Sequence, residues 1–173
     1  MNMSTRNYIN DLAQQVIETY NITIPITNIE NIVRHMGGTI EEKHNFDALY
    51  EGTIIKEGNS SFRIVISPHQ NQQRKSFTIA HELGHLFLHM GFRTDLDVWC
   101  KQDQTVYRRF GRSDQEYQAN EFAAALLMPK EVYREVLFSY ASNNRVDMRK
   151  VAQHFNVSLA AAVNRGKFLG YLA

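Results

Sequence analysis

The stretch Phe77-Thr-Ile-Ala-His81-Glu82-Leu-Gly-His85-Leu86 sets two histidines four residues apart, with a glutamate directly after the first. Ile79, Leu83, Leu86 and Met90 recur at helical spacing and predict a helix over residues 76–90. Four residues make roughly one turn, so the two imidazoles share a face about 6 Å apart. Rings so placed can share one metal ion, and Zn–N distances of about 2.0–2.1 Å fit the gap. Glu82 lies beside them. There a carboxylate can hydrogen-bond a metal-bound water, take its proton and deliver it to a leaving amine. An amphipathic helix carrying surface histidines is the competing explanation. The strong periodicity weighs against it, and so does Gly84. A mid-helix glycine costs about 1 kcal/mol relative to alanine, so its place between the histidines predicts close approach of another backbone or a ligand.

A metal needs a third protein ligand. His89 follows His85 by four residues, but on a straight helix it lies about 12 Å along the axis from His81. One ion cannot reach both, so His89 belongs behind a ligand or at the pocket rim. The better candidate is on a second predicted helix, 114–128, which stops before Pro129. On a wheel of about 100° per residue, Ala119, Asn120, Ala123, Ala124, Leu126 and Leu127 cluster around Glu116. Asp114, Gln118 and Glu121 fall on the opposite, outward side. Glu116 is therefore a carboxylate on an apolar face, an expensive position that coordination to a metal relieves. Asn120, one turn on, could orient Glu116 or a histidine. Ser113-Asp-Gln-Glu116 also fits a capping box. The two roles are not exclusive, and the ligand role is preferred.

FTIAHELGHLFLH followed by EYQANEFAAALLMP resembles the ImmA/IrrE family of metallopeptidases, over roughly residues 8–170. The resemblance implies a zincin-like core with His81, His85 and Glu116 as metal ligands and Glu82 as catalytic base. The family often carries a second acid two residues after the ligand glutamate. Here that position is Gln118, which singles out Glu116. The resemblance also implies a protein substrate: a DNA-binding repressor of the helix-turn-helix type, whose cleavage relieves repression in a mobile element or stress response.

These residues need elements to hold them. The coarse order is α-α-β-β-β-α-loop-α-α-α-α, with strands at 38–43, 49–56 and 61–67. Helical spacing begins over residues 5–20, with Ser4 or Thr5 as cap, and a second helix starts at Thr27 or Asn28. Early strands and late helices predict an α+β fold with a small antiparallel-type sheet. Residues 1–128 read as the zincin-like core and 129–173 as a wholly helical C-terminal subdomain. The polar stretch 91–112 reads as a lid or binding loop. In it, Trp99 and Cys100 could anchor to the core, and Cys100 could cap the metal. Tyr107, Arg108, Arg109, Tyr117 and Tyr133 are candidates to stabilise an oxyanion.

Residues 147–170 resemble a helix-turn-helix, and five Lys/Arg against one Asp after residue 140 make the segment basic. The would-be reading helix, Leu159 to Lys167, is mostly alanine with few base-reading side chains. Packing is preferred to DNA binding, although direct DNA contact through phosphates remains an option.

Composition bounds the rest. Of 173 residues 43% are hydrophobic and 21% charged, with a net charge of +1, so no whole-chain field drives binding to nucleic acid or membrane. One cysteine excludes a disulfide framework and a multi-cysteine metal site. The longest apolar run, Phe122 to Met128, is far short of the roughly 20 residues of a spanning helix. No signal-like apolar core occupies the first twenty residues. The expectation is a cytoplasmic, zinc-dependent endopeptidase with no membrane partner, Mn²⁺ or another divalent ion being the alternative metal. The rival is a non-catalytic DNA- or repressor-binding regulator with a structural metal.

Overall fold

The computed structural model describes residues 2–43, 52–102, 106–107, 114–143 and 145–172. Helix α1 (Met3–Thr19) buries Ile9, Leu12, Ala13, Val16 and Ile17, the stripe its spacing predicts. Its cap is Asn2, whose Oδ1 accepts from the Thr5 amide at 2.8 Å, rather than Ser4 or Thr5. Helix α2 (Ile29–His35) is capped by Asn28.

Strands β1 (Gly38–Glu42), β2 (Gly52–Lys56) and β3 (Phe62–Ile66) follow. The sheet is mixed, which corrects the antiparallel expectation. Its order is β1-β3-β2-β4, with β4 at Val106–Tyr107. β3 enters between β1 and β2, so it runs antiparallel to β2 and parallel to β1.

Helix α3 (Gln72–Leu88) carries the two histidines and packs on α5 (Asp114–Leu127). At Gly84 the two helices approach backbone to backbone: an added Cβ would lie 2.9 Å from Ala119 Cα and 3.0 Å from its carbonyl oxygen. That is the close approach the glycine predicts.

The segment after α3 is not irregular throughout. Residues Leu96–Lys101 form helix α4, capped by Asp95. Trp99 is buried, its indole donates to the Asn59 carbonyl at 2.7 Å, and Lys56 donates to the Trp99 carbonyl at 2.6 Å. Trp99 is an anchor; Cys100 is exposed. Residues 103–105 and 108–113, including Arg108, Arg109 and Ser113, lie outside the described residues.

Helix α6 (Lys130–Ser139) leads to a two-residue hairpin, β5 (Ala141–Ser142) with β6 (Arg145–Val146), so the C-terminal segment is not wholly helical. Helices α7 (Met148–His154) and α8 (Leu159–Phe168) join through Asn156, which takes φ +51°, a conformation asparagine tolerates. One continuous apolar cluster runs from Ile9 through Ile64, Leu83 and Phe122 to Val151 and Ala162. Among the described residues, no helix is long and apolar enough to cross a membrane.

Candidate metal centre

Helical spacing on α3 stacks His81 and His85, both almost fully buried, with ring centroids 4.7 Å apart and Nε2 atoms 3.0 Å apart. The close Gly84–Ala119 contact lets α5 bring Glu116 over them. Its two carboxylate oxygens lie 3.3 Å from His81 Nε2 and 3.3 Å from His85 Nε2. Among the described residues these three side chains are the group whose ligand-type atoms converge, all within 4.8 Å of one another. Cys100 is not part of it.

The far nitrogens of both rings are held. His81 Nδ1 lies 2.9 Å from Asn120 Oδ1. An amide oxygen only accepts, so Nδ1 carries the proton there and Nε2 is left as the acceptor. The other ring is fixed through a relay. His89 Nε2 lies 3.0 Å from Gln118 Oε1, and His89 Nδ1 lies 2.9 Å from His85 Nδ1. Burial pushes His89 down to about 4, so it is neutral near pH 7. A neutral His89 that donates to Gln118 must accept from His85, which again leaves His85 Nε2 as the acceptor. Sequence reasoning offered Asn120 to orient Glu116 or a histidine and left His89 behind a ligand or at the pocket rim. It used Gln118 only to exclude a ligand there and missed its hydrogen bond.

Burial pushes the Glu116 carboxyl up, and contact with His81 and His85 more than reverses it, so Glu116 is held below the usual carboxylate range. Two ring nitrogens and a carboxylate thus face one another, their ligand-type atoms all within 4.8 Å. Two imidazole nitrogens and a carboxylate are a donor set that suits a borderline divalent cation. The residues therefore fit a metal.

Glu82 is 1% exposed, on the turn that carries His81. Tyr133 is not an oxyanion candidate here: its hydroxyl donates to the Ala162 carbonyl at 2.7 Å within the core, and burial pushes it up to about 12. Tyr117 is 53% exposed. Glu121 corrects the helical wheel. It is buried, and its Oε1 accepts from Arg165 Nη1 at 2.8 Å and from Asn10 Nδ2 at 2.8 Å.

Relatives of known kind bear on this arrangement. Over 104 residues the chain is 28% identical to Metallopeptidase ImmA of Bacillus subtilis, covering 60% of this chain and 56% of that protein. A transcriptional regulator of Mycobacterium tuberculosis shares the fold, with a TM-score of 0.57 over 92% of this chain and 46% of that one, at 16% identity. The chain thus spans about half the length of each. The profile of the IrrE N-terminal-like domain matches residues 33–167, a span that takes in both α3 and α5. With the converging side chains inside a match that covers most of its length, this chain belongs to the ImmA/IrrE family of metallopeptidases.

Proposed function

We propose that the chain is a zinc-dependent endopeptidase of the zincin type that cleaves a helix-turn-helix repressor in the cytoplasm. The observation that carries this reading is the convergence of His81 Nε2, His85 Nε2 and the Glu116 carboxylate on one point, with both far nitrogens already committed. A divalent ion held there supplies Lewis acidity toward a peptide carbonyl and toward water. Asn120 and the Gln118–His89 relay keep the two imidazoles in the tautomer that can hold it. Glu82, buried beside His81, accepts a proton from the attacking water and returns it to the departing amine. Residues 129–173 support the site, because Arg165 in α8 bonds Glu121 in α5, the helix that presents Glu116. The repressor as substrate rests on the family; a relative that is a transcriptional regulator is compatible with it.

The test is cleavage of a helix-turn-helix repressor, sought among the neighbouring genes, by wild type and Glu82→Gln, each assayed for bound zinc. Wild type cleaves. Glu82→Gln keeps its metal and loses about 100-fold or more of the rate, as expected when a general base is removed. Near-wild-type cleavage by the metal-loaded variant would remove Glu82 from its role. If wild type leaves the repressor intact but binds it or its operator with and without chelator, the peptidase reading gives way to a regulator with a structural metal.

A further inference from the structure

Glu82 shares its face of α3 with Thr78, one turn earlier, and both side chains point at the start of strand β2. Gly52 is the residue they meet. It is buried and pairs with Ile66 of β3. A Cβ built on Gly52 would lie 2.6 Å from Thr78 Cγ2, 2.9 Å from Glu82 Oε1 and 3.3 Å from Glu82 Cγ. The first two distances are closer than Cβ atoms in real proteins come to any neighbour. So the Glu82 carboxylate occupies space that every residue except glycine would fill.

The two contacts differ in how they can give way. Thr78 is β-branched and helical, with few χ1 choices. Its Oγ1 is buried with no hydrogen-bond partner among the described residues, so no bond to that hydroxyl is at stake. The Glu82 oxygen is the far end of a flexible side chain. A methyl group at position 52 therefore presses on Thr78, which strains the packing, and displaces the carboxylate end, which moves the reacting group.

We propose that Gly52 is a positioning residue for Glu82: its missing side chain leaves the slot that the carboxylate occupies, on the helical turn that carries His81. This rests on the reading of Glu82 as the general base. It assigns strand β2 a part in catalysis that involves no contact with substrate or metal.

The experiment compares Gly52→Ala, Gly52→Ala/Thr78→Ser, Glu82→Gln and Gly52→Ala/Glu82→Gln as zinc-loaded proteins. The readouts are zinc stoichiometry, melting temperature, and kcat and KM on the same repressor. Gly52→Ala is expected to keep full zinc and an unchanged KM while kcat falls about 100-fold, the scale of an ångström-sized misplacement. Thr78→Ser removes the 2.6 Å contact and should restore melting temperature without restoring kcat. In the Glu82→Gln background, Gly52→Ala should lower the residual rate no further. The proposal is overturned by wild-type kcat in Gly52→Ala, by recovery of kcat with Thr78→Ser, or by an additive loss in the Glu82→Gln background. It is also overturned if neither Gly52→Ala protein folds, since Gly52 is then a packing glycine. A metal-loaded Glu82→Gln that cleaves like wild type defeats the base reading instead, whatever Gly52→Ala does.

Discussion

Glu116 and Glu121 stand five residues apart on one helix and meet opposite surroundings. Glu121 faces Arg165, which also donates from Nε to the Met128 carbonyl at 3.0 Å and from Nη2 to Asn10 Oδ1 at 2.8 Å. There the chain supplies the positive charge itself, on a guanidinium that does not lose its proton. Glu116 faces two imidazoles whose Nδ1 atoms are bonded elsewhere, and its carboxylate oxygens lie 3.3 Å from their Nε2 atoms. A buried carboxylate with a covalently attached counter-ion is a structural node. One set against two imidazoles completes the donor set of a candidate metal site. The difference lies in the partners, not in the glutamates.

Separate substitution of the two glutamates tests this contrast most severely. Glu121→Ala leaves the Arg165 charge buried and unpaired and should cost about 3–5 kcal/mol in urea unfolding, with zinc stoichiometry unchanged in the folded fraction. Glu121→Leu with Arg165→Met should recover most of that loss, since the charge leaves with its partner. Glu116→Ala should do the reverse. Zinc is lost on dialysis, while stability in chelator shifts by only about 1 kcal/mol, the scale of a helix-cap contact. Zinc loss from Glu121→Ala with retention in Glu116→Ala would break the contrast outright.

A smaller effect sharpens it. Gln118→Leu removes the acceptor that sets the His89 and His85 tautomers, so zinc affinity should fall about 10–100-fold with little change in melting temperature. Competition titration with a chelating dye reads this, and unchanged affinity would mean that the relay does not orient His85.

The smallest effect concerns a third glutamate, at the surface. Hydrogen bonds from Lys43 and then Arg63, the latter at 2.7 Å, hold the Glu41 carboxyl below its ordinary 4.5. A lowered folded value means that its contribution is present above that ordinary value and is lost as pH falls through the folded one. Glu41→Gln should flatten the acid limb of a melting-temperature profile slightly below about pH 4.5 and leave it unchanged near neutrality. An exposed pair of this kind contributes little.

What was legible in the sequence was local. The four-residue spacing of His81 and His85 places them on one helical face, and Gly84 marks the backbone approach of Ala119. The wheel located Glu116 because one face of α5 is plainly apolar. It misjudged Glu121 because it assumes a single inward face. Helix α5 packs on α3 and α1, and it also takes Arg165 from α8, 44 residues on. No feature near Glu121 announces such a partner. The parallel pairing of β1 with β3 was hidden for a related reason: alternation identifies strands but not their order. Helix α4 has six residues and one buried indole, too few for a periodic signal. The β5–β6 hairpin, with two residues in each strand, is shorter still. Tyr133 looked available for catalysis because sequence does not reveal that a backbone carbonyl 29 residues away takes its hydroxyl.

Arg165 reaches back 44 residues to Glu121 and 155 residues to Asn10. A ribosome adds about 5–20 residues per second, so α5 emerges seconds before the guanidinium that completes its surroundings. Through that interval Glu121 has the Asn10 amide, already synthesised, but not the Arg165 charge, and burying a carboxylate without a counter-charge is unfavourable. The nascent helix is better left in water until α8 arrives. The histidine pair, local to α3, can form first, whereas the carboxylate above it waits on the distant arginine. Completion of the cation centre is thereby tied to the late stages of synthesis by an ion pair that does not touch it.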